Sequence, residues 1–141
     1  MIGVMTYNDL VQLYFDRSNA LQWYWTLYVV IIGGLLAFSS LRQRGDMLTT
    51  ILITVLFSFF AYKNLGAIQE SSLQRFAALK SIKEFPLTNA DAGAMNRVRD
   101  TLEPTLAPPA LEGVRNFHVT SDIVTIVALW SMERRRRKAA A

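Results

Sequence analysis

Few residues in this chain have the type and placement to do chemistry. They are Asp122, His118, Lys63 and the run Arg134, Arg135, Arg136, Arg137, Lys138. Asp122 is the one acid inside an apolar segment, FHVTSDIVTIVALWSM, and an ionisable group in apolar surroundings is a functional candidate by default. The plainer reading is a hydrated aspartate near a helix start, beside Thr120 and Ser121, with Lys63 as its available partner. His118 is the only histidine, so it could donate one metal ligand at most; a polar residue at an apolar boundary is the plainer reading. The absence of cysteine excludes disulfides, thiolate metal sites and thiol nucleophiles. Neither GxGxxG nor a P-loop occurs, and no nucleophile stands with a base. The sequence therefore predicts a non-catalytic protein with no catalytic residues, no metal site and no cofactor.

Apolar residues make up 52% of the 141 and charged residues 18%, which argues against a disordered chain. The apolar residues gather in three blocks, 21–41, 47–68 and 117–132, with the charges between them. The first block is uncharged and, as a helix, about 30 Å long, the thickness of a hydrocarbon core. No basic region precedes it and it is too long for a signal-peptide core. Nine strongly apolar side chains between Leu48 and Phe60 favour insertion of the second block by about 3–5 kcal/mol. The third is the weakest: a charge at mid-bilayer costs roughly 2.5–3.5 kcal/mol, less near an end where Asp122 stands. A helix lying on the membrane surface is the alternative for this block. The fold class predicted is an all-α integral membrane protein with three transmembrane helices.

Aromatic residues and a lysine mark the ends of these blocks. Trp23, Tyr24, Trp25 and Tyr28 crowd one end of the first, Tyr62 and Lys63 stand at the exit of the second, and Trp130 closes the third, as interfacial residues do. Small and hydroxyl residues form stripes suited to helix packing: Gly33, Gly34 and Ala37; Thr50, Thr54 and Ser58; Ser121, Thr125 and Ala128. They suit either packing within the chain or association with other chains. Five of the fifteen Lys/Arg lie in the 134–138 run, and the other ten stand against eleven acids. The net charge of +4 thus describes a tail that binds anionic headgroups rather than a nucleic-acid face. With Arg42 and Arg44 in the 42–46 turn, that tail (133–141) is assigned to the cytoplasm, and the N-terminus and the 69–116 loop to the outside.

Residues 1–20 are expected to hold an amphipathic interfacial helix. Thr6 and Asp9 have capping-box spacing, and Leu10, Val11, Tyr14 and Phe15 share a side. The second helix is expected to run on to 85, since no proline occurs before Pro86. A further amphipathic stretch over 89–103, with Ala94, Met95, Val98 and Leu102 on one face, completes a small extracytoplasmic helical hairpin. Such short helices are too few to form a core alone and must cover one another, the membrane surface or another protein.

Three spans, an outside N-terminus and a basic cytoplasmic tail resemble the layout of a class of phage holins. The likeness covers topology and no residue motif, and the 69–116 loop is far longer than that layout has. It implies a homo-oligomeric pore. The leading expectation is an accessory or scaffolding subunit of a larger, bacterial inner-membrane complex, whose partners are the lipid bilayer and other membrane-protein subunits or copies of itself. Nucleic acid is not expected as a partner.

Overall fold

A computed structural model describes residues 6–86, 97, 100, 101, 103–106 and 110–140. Its main elements are three long α-helices, α1 (Tyr7–Leu41), α2 (Met47–Glu84) and α3 (Leu111–Ala140), with a short 3-10 turn at Glu103–Leu106. No strand occurs among the described residues. Two of the helices, α1 and α2, are long and apolar enough to cross a membrane. By the same measure α3, with a polar start and an arginine-rich end, is not.

Local chemistry accounts for the helix ends. Thr6 caps α1 reciprocally: its backbone N–H donates to Asp9 Oδ2 at 2.8 Å, and the Asp9 N–H donates to Thr6 Oγ1 at 3.2 Å. The Thr6 hydroxyl bond, followed by its backbone bond, holds the Asp9 carboxyl below the ordinary carboxylate range. Asp46 caps α2 by accepting from the N–H groups of Leu48 and Thr49, at 3.0 and 3.3 Å. α2 stops at Glu84 because Pro86 disfavours the helical conformation for Phe85 before it.

The turn at 42–46 folds α1 and α2 into an antiparallel pair, and α3 packs against both. At the turn end, Arg136 of α3 reaches Ser39 of α1, and Glu133 reaches Thr50 of α2. At the open end α1 and α2 extend beyond α3 and form a second core. Leu10 and Tyr14 pack there on Ala78, Leu79 and Ile82, with Leu106 of the 3-10 turn as cover. Tyr14 donates its hydroxyl hydrogen to the Leu106 carbonyl at 2.7 Å, and the Arg75 guanidinium stands 5.7 Å from the Tyr14 ring centroid.

This arrangement corrects the expectation for residues 1–20. Residues 1–5 lie outside the described residues; from Tyr7 onward there is no separate helix, the chain being one helix with the first apolar block, 35 residues or about 52 Å long. Neither proline nor glycine interrupts it between Tyr7 and Ile32. Its Leu10 and Tyr14 pack on α2, while Phe15 stays exposed. Among the described residues, the α2 extension packs on the start of α1, with Leu106 of the 3-10 turn as cover. The stretch expected over 89–103 lies largely outside the described residues; Arg97, Asp100 and Thr101 are helical.

Ile82 is fully buried in the open-end core. Ile82→Ala is expected to destabilise the protein by about 2–5 kcal/mol, through lost burial and the cavity left behind. Chemical unfolding of the purified protein, followed by helicity, measures it.

Candidate functional site: a buried tyrosine, asparagine, histidine and aspartate

Each helix contributes to one polar cluster inside the bundle. His118 and Asp122 are four residues apart on α3 and therefore share a face. His118 Nδ1 lies 2.9 Å from Asp122 Oδ2, and the Tyr28 hydroxyl of α1 donates to Asp122 Oδ1 at 2.7 Å. The same hydroxyl is 3.2 Å from the His118 carbonyl oxygen. From α2, the Asn64 amide nitrogen lies 3.3 Å from His118 Nε2. Each imidazole nitrogen thus has one partner, Nδ1 facing the Asp122 carboxylate and Nε2 the Asn64 amide.

The cluster is closed by rings. The Tyr28 and His118 centroids are 4.1 Å apart at 30°, and Trp25 packs edgewise on Tyr28 and beside Phe117 and His118. His118 is 0% exposed and Tyr28 2%. Both imidazole nitrogens are engaged internally, so the ring presents no nitrogen to a substrate. The Asp122 side chain is 17% exposed, and a part of it reaches the bundle surface. Among the described residues no group of three or more His, Cys, Asp or Glu could hold a metal ion.

A second polar cluster ties the turn end together. Glu133 is 1% exposed. It accepts from Arg137 Nε at 3.0 Å, from Arg136 Nη2 at 3.3 Å and from the Thr50 hydroxyl at 3.2 Å. Arg42 donates to the same Thr50 oxygen at 3.2 Å, and Arg136 also donates to the Ser39 carbonyl. The turn closes tightly over this group: a Cβ at Gly45 would lie 3.2 Å from Glu133 Oε1 and 3.1 Å from Arg137 Cγ. Burial pushes the Glu133 carboxyl upward, but the bonds from Arg137, Arg136 and Thr50 outweigh it and hold the group below its ordinary value.

Several residues sit elsewhere than their sequence roles suggested. Tyr28, expected among the interfacial aromatics, is buried in the bundle, where its hydroxyl donates to Asp122 of α3. Trp23 is exposed, while Tyr24, Trp25 and Trp130 are half-buried. Lys63 is not the partner of Asp122: it is exposed, as is Tyr62, and the aspartate turns inward to Tyr28 and His118. Gly33, Gly34 and Ala37 are exposed and pack against no helix of this chain; a Cβ on either glycine would meet nothing within 4 Å. Thr50 is buried, Thr54 half-buried and Ser58 exposed; Thr54 and Ser58 donate to their own helix carbonyls, each at 2.8 Å. Thr125 is buried, and Ser121 and Ala128 are half-buried. In the basic run Arg134, Arg135 and Lys138 are exposed, whereas Arg136 turns inward and Arg137 is bonded to Glu133.

Asn64 and Glu133 were not singled out from the sequence. Asn64 gives no local signal, since its partner is 54 residues away. Glu133 does give one, with Arg136 and Arg137 at the i+3 and i+4 positions where helical ion pairs form. No protein-family model, curated protein or solved structure matches this chain.

Tyr28→Phe removes the donor to Asp122 Oδ1 and is expected to cost about 1–3 kcal/mol of unfolding free energy, with a smaller loss in an Asp122→Asn background. A double-mutant cycle by chemical unfolding measures the coupling. For Glu133, a lowered folded-state pKa means stability that is present above the ordinary carboxylate value and lost as pH falls through the lowered one. Glu133→Gln is therefore expected to be less stable than the native protein at neutral pH, the two converging in acid. Thermal unfolding across a pH series tests this.

Proposed function

We propose that this chain is a non-catalytic accessory or scaffolding subunit of a larger inner-membrane assembly and threads the bilayer three times. α1 and α2 have the length and apolarity to span. α3 lies beside them from His118 to Glu133, about 22 Å of helix, so a bilayer crossed by α1 and α2 holds α3 as well. Its outward Ile123, Val124 and Val127 suit lipid. The turn arginines and the exposed Arg134, Arg135 and Lys138 lie at one end, which the positive-inside rule places in the cytoplasm, with the N-terminus outside. There the exposed basic side chains meet anionic headgroups, worth about 1 kcal/mol each. Trp23, Tyr62 and Lys63 stand toward the outer interface.

The observation that carries this reading is the Gly33, Gly34 and Ala37 face. Helices in lipid associate where small residues allow close approach, and the chain's own bundle leaves this face unused. The holin-like alternative loses part of its motive, because the hydroxyls of Thr54 and Ser58 bond to their own backbone rather than lining a polar path.

Affinity purification of the full chain from its native membranes in mild detergent is expected to yield a particle well above the 16.0 kDa chain, containing other membrane polypeptides. Gly33→Leu and Gly34→Leu are expected to reduce their recovery while leaving the bundle folded. A stable monomer with no accompanying chain overturns the reading.

A further inference from the structure

We propose that copies of this chain associate head to tail in the membrane, with Lys63 of one copy pairing with Asp122 of the next. The inference rests on the three-span reading above and does not depend on any other subunit. Lys63 and Asp122 are the two charged residues within the apolar blocks, and within one copy they do not meet. Lys63 is exposed and makes no ion pair among the described residues. Asp122 is hydrogen-bonded to Tyr28 and His118 and meets no lysine or arginine of its own copy among the described residues. A carboxylate and an ammonium near the margin of the apolar section gain by pairing where two copies meet.

Both sit at one level of the bundle. Asn64 faces His118, so in the antiparallel pair of α2 and α3 Lys63 and Asp122 lie within about one turn, or 5.4 Å, along the axis. They occupy opposite flanks of α2. At 100° per residue, the buried Phe57, Ala61, Asn64 and Ile68 share one side, and Lys63 falls about 130° from their centre, turned away from α3. A contact joining two different flanks is heterologous: it generates rings or chains rather than a two-fold dimer.

The apolar surfaces around the two charges match in form. Leu52, Leu56, Phe59 and Lys63 recur at 4-3-4 spacing and are all exposed, a ridge of the kind that seats in a groove between helices. On the other flank, a groove of about 250 Å³ runs between α2 and α3, lined by Phe57, Ala61, Leu65, Val119 and Ile126, with Asp122 in its wall. The ridge carries its cation where the groove carries its anion. By the register of Asn64 with His118, Leu56 comes level with Ile126.

The chain has no native cysteine, which makes the test direct. Two differently tagged full-length chains, one Leu56→Cys and the other Ile126→Cys, are co-expressed and their membranes oxidised. A mixed disulfide dimer is expected, with neither variant dimerising alone. Adding Lys63→Glu to the Leu56→Cys chain is expected to lower the mixed dimer by about tenfold or more, since like charges then face each other, while Lys63→Arg keeps it. Helicity of each purified variant confirms folding. Absence of the mixed dimer, a yield indifferent to Lys63→Glu, or dimers of the Leu56→Cys chain alone overturns the contact. The Ile126→Cys chain crosslinked to a different polypeptide also overturns self-association while leaving the assembly reading standing. Free modification of both introduced thiols by a membrane-impermeant maleimide overturns the three-span reading beneath both.

Discussion

The hydrogen bond from Tyr28 to Asp122, with His118 and Asn64 drawn in behind it, is the interaction on which the arrangement of α3 depends. α3 is the least apolar of the three helices and carries an aspartate into the apolar section. An unsatisfied carboxylate there would be costly, and here both its oxygens receive a hydrogen bond. The same bonds fix rotation: for Asp122 to meet Tyr28, His118 must face inward, and Asn64 then meets its remaining nitrogen. One polar group thus sets the register of three helices, which apolar side chains of similar size would specify less sharply.

The turn end uses a different device for a similar purpose. Glu133 draws Arg136, Arg137 and Thr50 around one buried carboxylate, and Gly45 lets the turn approach closely enough to seal it. The two clusters lie about four helical turns apart along α3 and clamp it at both ends of its contact with α1 and α2. A basic tail that reads as uniform in sequence is divided by this clamp. Two arginines hold the fold together, and Arg134, Arg135 and Lys138 face outward.

Beyond the open-end clamp, α1 and α2 continue without α3 and cover each other. That core, around Tyr14 and Ile82, covers part of the apolar faces that the two longest helices carry past the apolar section, while Phe15 and Leu73 stay exposed. Larger uncovered surfaces lie lower: the Gly33–Ala37 face of α1, the Leu52–Lys63 ridge of α2 and the groove beside Asp122. A three-helix bundle is too thin to cover all its helix faces, and these are among the surfaces it leaves uncovered.

The all-helical class and the two most apolar helices follow from the sequence alone, because helical periodicity, capping residues and long uncharged runs are local properties. Thr6 with Asp9 announces the start of α1, and the lack of proline before Pro86 allows α2 its length. What the tertiary structure decided is which polar residue meets which. Tyr28 reads as an interfacial aromatic and Lys63 as the natural partner of Asp122 until three helices are brought together. Asn64 has no signal at all in the chain. Contacts spanning 54 to 94 residues depend on helix rotation and register, which periodicity narrows to a face but not to a partner. That Leu10 and Tyr14 pack on α2 was likewise decided by the α2 extension, since an apolar stripe carries no record of what covers it.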